Sequence, residues 1–218
     1  MPYSTIRDKK TELIRKARDG SVFIAPTSAT AITTITSGAG AVLAALPTGY
    51  VDLGWISTDG ASYARETNVS EVTSFGSVEP TRSDTTSDII TLSITAQETR
   101  LETLALYTGA DSSAITANAT TGEVAIAKPA RPGFRHYRIF GLFVDDGDDG
   151  EIYIARFMPR ARVTEIGEQA FTDGDDPISY PVTFTGIEDS ALGYSHKWFF
   201  GGPGWLALQA AMDIPDAP

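Results

Sequence analysis

The stretch from Ser57 to Ser87 constrains this chain more than any other. It is polar and almost free of aliphatic residues, yet Tyr63, Val69, Val72, Phe75 and Val78 punctuate it. It is too patterned for a linker and too poor in aliphatics to build a core. It reads as a large protruding loop, or a long hairpin, whose apolar residues are meant for another subunit. Gly54-Trp55 leads into it, and the strand Asp88–Ala96 and the helix Glu98–Thr108 follow it.

The remainder is globular in composition. Of 218 residues, 42% are hydrophobic and 21% charged, with Thr, Ser, Ala and Gly abundant. That bias suits pleated sheets with one wet face. The chain has no cysteine, which excludes disulfides and thiolate metal sites. No apolar run approaches the ~20 residues a bilayer span needs, and the charged start lacks the apolar segment of a secretory leader, so a soluble protein is expected.

The net charge of −11 is uneven. Residues 1–20 hold six basic and three acidic side chains, and the rest holds 11 basic against 25 acidic. A DNA-gripping face is not expected of such a surface, because phosphate binding relies on clustered Lys and Arg.

The local pattern predicts mainly β structure. Residues 4–19 read as a short amphipathic helix with Ile6, Leu13, Ile14 and Ala17 as its stripe, closed by Gly20. That stripe serves equally for an arm on a neighbour or a helix packed on its own domain. Strands are expected at 22–25, 41–46, 50–57 and 88–96. In the last of these, Ile90, Leu92, Ile94 and Ala96 oppose Thr91, Ser93 and Thr95. Thr95 and Glu98 match a capping box, and the helix behind it places Leu101, Leu104, Ala105 and Thr108 on one face before Gly109. Further strands are expected at 123–127 (ended by Pro129 and Pro132), 135–144, 151–158, 160–167, 178–186 and 194–200. A turn of helix is expected at 206–212. About nine strands and two helices point to a β-sandwich or partly open barrel with flanking helices.

No constellation points to catalysis. Asp145–Glu151 has five carboxylates but lacks the spacing of a calcium loop, and it reads as a hairpin turn. His136 and His196 lie on separate strands, and no Gly-x-Ser-x-Gly elbow, phosphate loop or dinucleotide fingerprint is present. The chain is read as a non-enzyme with no cofactor and no metal.

Gly54-Trp55-Ile56-Ser57-Thr58-Asp59-Gly60, then Phe75-Gly76 and Pro80-Thr81-Arg82, then Ile89-Ile90-Thr91-Leu92 and the helix ending Leu106-Tyr107-Thr108-Gly109, together resemble the tail tube (major tail) proteins of long-tailed, non-contractile bacteriophages. The resemblance is clearest over 50–109 and looser up to Phe200. It implies one tail-tube-like domain over 1–218, with an N-terminal helical arm at 1–20, a protruding inter-ring loop at 57–87 and a C-terminal arm at 201–218. Homohexameric rings would stack into a tube that conducts DNA during ejection, located in the virion tail and assembled in the host cytoplasm. Partners would be further copies of the chain and other tail proteins (tape measure, terminator, distal tail protein). Genomic DNA would pass without specific binding, and no membrane is involved. Contacts between subunits would fall on Tyr63, Val69, Val72, Phe75, Val78 and Arg82. Candidate lumen residues are Thr91, Ser93, Thr95, Ser179, Thr183 and Thr185. The rival readings are another virion ring or decoration protein (tail terminator, baseplate) and a carbohydrate-binding β-sandwich module.

Overall fold

In the computed structural model, which describes residues 3–130, 133 and 135–215, ten strands and three short helices are arranged around one large sheet. The strands are β1 (Asp19–Pro26), β2 (Thr36–Ser37), β3 (Val42–Leu43), β4 (Val51–Asp52), β5 (Ser62–Val72), β6 (Arg82–Ala96), β7 (Tyr137–Gly147), β8 (Gly150–Ile166), β9 (Tyr180–Gly186) and β10 (Lys197–Gly201). The helices are α1 (Tyr3–Ile6), α2 (Leu101–Thr108) and α3 (Pro203–Leu208). The antiparallel sheet runs β4-β1-β7-β8-β9-β6-β5, and β10 adds to β8 beside β9.

The sheet curls but does not close. Val22 and Ile24 of β1 share one buried cluster with Ile90, Leu92 and Ile94 of β6, although these strands lie near opposite ends of the strand order. The bridge Ile56↔Ala96, with Ser57 N–H donating to the Thr95 carbonyl at 2.8 Å, ties the chain after β4 to the end of β6. On the other side of β7 and β8, Phe140, Ala155 and Phe157 pack with Phe199 and with Ile32 and Ile35 of the 27–50 segment. Strands β7 and β8 are therefore covered on both faces, as their uninterrupted apolar character predicts.

Several boundaries differ from the sequence reading. The predicted helix at 4–19 is helical only at Tyr3–Ile6, with a 3-10 turn at Thr11–Leu13. Ion pairs hold the chain extended along the β7–β8 turn instead: Arg15 with Asp145 at 3.6 Å and Arg18 with Asp146 at 2.8 Å. The strand predicted at 50–57 shrinks to β4 and gives way at Gly54, whose φ of 82° suits glycine. The 41–46 strand is just β3, and 123–127 reduces to the bridge Ala117↔Val124. The segments 151–158 and 160–167 are one strand, β8, whose pairing shifts register around buried Pro159. The predicted stop at Pro132 lies outside the described residues, as do residues 1–2 and 216–218 of the predicted arms.

The capping box is replaced by a tertiary contact. Helix α2 begins at Leu101 with Arg100 as its N-cap and no side-chain cap. Glu98 accepts the Trp55 backbone N–H at 2.8 Å and pairs with Arg100. These hydrogen bonds, the one from Trp55 first, hold the Glu98 carboxyl below its ordinary range. The buried face of α2 is Thr103, Ala105 and Leu106, while Leu101 is exposed, because the helix starts late and meets the sheet on a rotated face. Gly109 closes it in the left-handed conformation as expected. Beyond β10, α3 continues into a 3-10 turn at Gln209–Met212 and packs against β8. Phe200 and Trp205 stack with centroids 5.0 Å apart.

Candidate functional site: a protruding hairpin and a hydroxyl wall

The polar stretch is built as a hairpin. Ser62–Val72 pairs with Arg82–Ser93 along its whole length, with one irregularity between Asn68 and Val69. Its lack of alternating aliphatics now has a cause: beyond Ile90 both faces of the two-stranded ribbon are in water, so neither face needs an apolar stripe. β9 pairs with β6 only from Thr91 to Ala96. Residues 65–72 and 82–89 thus stand free of the sheet as an arm roughly 25 Å long, at ~3.4 Å per residue.

The arm is held by short-range polar bonds. Arg65 makes a bidentate pair with Asp88 at 2.6 and 2.7 Å, Arg82 pairs with Asp84 at 2.5 Å, and Asn68 reaches Ser87 at 2.9 Å. The Arg65 pair lowers the Asp88 carboxyl below its usual range. Such exposed pairs are individually weak, and an isolated two-stranded hairpin is marginal in water.

Phe75 and Val78 sit at the tip, 110% and 102% exposed, while Val69 and Val72 are about half exposed along the ribbon. Arg82 points into solvent at the tip's base. Tyr63 differs from the other five residues expected at contacts. It turns into its own subunit, edge-on to Phe143 and His196, with the Arg156 guanidinium 4.9 Å from its ring centre. Its hydroxyl lies so close to β7 that a Cβ on Gly141 would come within 2.5 Å of it. Burial raises the Tyr63 hydroxyl pKa. Tyr63 roots the arm in its own subunit; the tip lies beyond it.

His196, beneath Tyr63, is 7% exposed, and neither ring nitrogen has a hydrogen-bond partner among the described residues. It packs 4.4 Å from Trp198, and burial, reinforced by Arg156, lowers its pKa to about 4. The sequence offers it as a metal ligand or a triad histidine; its position under the arm depends on Tyr63 of β5 meeting Arg156 of β8, which no local pattern signals. His136 lies elsewhere, just ahead of β7.

The second feature is a sheet face covered with hydroxyls. Thr91 stands opposite Thr185 and Ser93 opposite Thr183, while Thr95 stands opposite Pro181. Ser62 lies opposite Ser93 on the other side. Ser93 and Thr183 hydroxyls are 2.9 Å apart, and Thr164 and Thr185 hydroxyls 2.8 Å apart. A groove along this face is lined by Ser57, Asp59, Ser62, Thr95 and Glu165. Arg162 is the cation that stands opposite Thr185. Of the six predicted wall residues, five line up on this face. Ser179 precedes β9, and its carbonyl accepts from Gln169 at 3.1 Å.

A family model described as phage tail tube protein matches residues 9–200. The chain belongs to the phage tail tube protein family. The match spans both the hairpin and the hydroxyl wall, and a protein of this family is a structural part of the virion tail. Among curated proteins, none matches the chain. For a tail tube protein the expected mainly β fold is present, as an open curled sheet with few helices. Among the described residues no group of three or more His, Cys, Asp or Glu is placed to hold a metal ion.

Proposed function

We propose that this tail tube protein forms hexameric rings that stack into the tube through which DNA leaves the virion. The protruding hairpin is the element that contacts the next ring. One observation carries the reading: a ~25 Å arm ends in two fully exposed apolar residues, Phe75 and Val78. A surface like this is completed only by another molecule. The unpaired outer edge of β5 is a second incomplete element, and pairing with a neighbour within the ring removes it. The residues 1–20 and the region after Gly201 act as further contacts between copies, and tape measure, terminator and distal tail proteins meet the ends of the tube.

The hydroxyl wall supports the role of a bore. Paired Ser and Thr hydroxyls bond each other, and Asp59, Glu165 and Glu66 lie along the same side and outnumber Arg162. Hydroxyls and carboxylates repel or ignore phosphate, so DNA slides past without being held.

Electron microscopy of the concentrated protein tests the assembly: rings or tubes are expected. Deleting Ser70–Glu79 removes the tip while leaving the β5–β6 pairs nearest the sheet. The deleted subunit should fold with unchanged circular dichroism and fail to form tubes. A variant that cannot fold would make the hairpin part of the core and defeat the proposal.

A further inference from the structure

Where the arm joins the body, the two leave a notch of about 360 Å³. The arm supplies Arg65 and Asp88, and the body supplies Glu188, Ser195, His196 and Trp198. Arg65 stands opposite Ile90, and Asp88 and Ile90 alternate with Thr91 and Ser93 along β6. The notch therefore lies on the face of β6 opposite to the hydroxyl wall. Its volume falls within the ~300–1,000 Å³ of small-molecule sites.

His196 points to a ligand here. It is 7% exposed and lines the notch, and neither ring nitrogen has a partner among the described residues. A buried polar group left unbonded is costly, so such groups are bonded in the working molecule. Burial, then Arg156, holds the His196 pKa down to about 4. At neutral pH the ring is uncharged and offers one N–H donor and one lone pair. A hydroxyl answers both, because it donates and accepts. An ammonium answers only the lone pair, and a carboxylate only the N–H.

The surrounding charges select the same class. Asp88 and Glu188 are balanced by Arg65 and by Arg156, the cation that acts on His196. Arg65 donates twice to Asp88, at 2.6 and 2.7 Å, which leaves further donors on its fork and further lone pairs on the carboxylate. A free ion of either sign gains little from so balanced a set. No group of three or more His, Cys, Asp or Glu is placed for a metal ion among the described residues. Trp198, 43% exposed and 4.4 Å from the His196 ring, adds apolar surface beside the polar groups.

We propose that the notch at the foot of the arm binds a neutral, polyhydroxylated ligand the size of one sugar ring. Its hydroxyls bond the His196 nitrogens, the Arg65–Asp88 pair and Glu188, while its C–H surface covers Trp198. The site is complete within one subunit and lies off the hydroxyl wall, so it goes beyond the stacking role and does not depend on it.

The test is an NMR titration of the dilute, isotope-labelled full chain with glucose, galactose and N-acetylglucosamine, and with glycerol as a polyol too small to span the notch. At least one sugar should shift the Trp198 indole and His196 ring signals saturably, with a dissociation constant on the order of millimolar. Trp198→Ala and Glu188→Gln, both at exposed positions, should fold as the unaltered chain does and weaken that binding by about tenfold or more. If Trp198→Ala does not fold, Glu188→Gln decides alone. Failure of all three sugars to saturate overturns the inference, as does glycerol acting as strongly as the sugars. So do variants that bind as tightly as the unaltered protein. Calcium chloride or arginine amide shifting these signals more than any sugar would make the notch a cation site and equally overturn it.

Discussion

Replacing Phe75 and Val78 together by serine should separate folding of the subunit from its assembly. Both side chains are fully exposed and touch no core residue cluster. Surface changes of this kind usually alter stability by less than ~0.5 kcal/mol, so the thermal transition of the subunit should stay within about two degrees. Under the proposed stacking both side chains become buried. Burying a Phe or Val side chain is worth about 1.5–3 kcal/mol, so the pair removes roughly 3–5 kcal/mol from each contact between copies. At 1.4 kcal/mol per factor of ten, the concentration needed for assembly rises on the order of a hundredfold or more. Pelleting across a concentration series measures that shift, and a melting curve of the dilute subunit measures the other quantity. Assembly at the unaltered concentration refutes the reasoning. So does a large loss of subunit stability, which would mean that the tip folds back onto its own domain.

Two more outcomes are expected. His196 is buried and neutral with a folded pKa of about 4, against about 6.5 when unfolded. The unfolded chain therefore binds the extra proton between those values, and stability rises with pH across that window and is lost as pH falls through it. It packs against Tyr63 and Trp198 with Arg156 as the charge acting on it, and Arg65, Asp88 and Glu188 line the adjoining cavity. His196→Phe should flatten the slope between pH 4 and about 6.5; an NMR titration placing the ring at or above 6.5 would count against the assignment. Asp59→Lys with Glu165→Lys puts two cations on the hydroxyl wall. Tubes should still form while DNA release from particles slows, and release at the normal rate would place that wall away from the bore.

The strands were readable where one face is buried. Ile90-Leu92-Ile94 and Tyr180-Val182-Phe184 alternate because one side meets the core and the other carries hydroxyls. The β7–β8 pair was readable because both faces are covered. The hairpin was readable as an unusual protrusion but not firmly as paired strands, since a ribbon wet on both sides carries no period-two apolar signal. The N-terminal stripe misled because Arg15 and Arg18 find carboxylates at the β7–β8 turn, a long-range gain that outweighs local helix propensity. Glu98 likewise leaves its expected cap for the Trp55 amide. Tyr63 could be recognised as an apolar punctuation mark, but its inward direction depends on which strand lies across from it.

Strand β8 has a mechanical consequence. Its 17 residues span roughly 55 Å at ~3.3 Å per residue, bonded to β7 along one flank and to β10 and then β9 along the other. A pull along its length loads three rows of hydrogen bonds in shear at once, so they cannot open one by one. If copies join through the hairpin tips as proposed, a filament of such units would part and bend at those joints while each unit kept its shape.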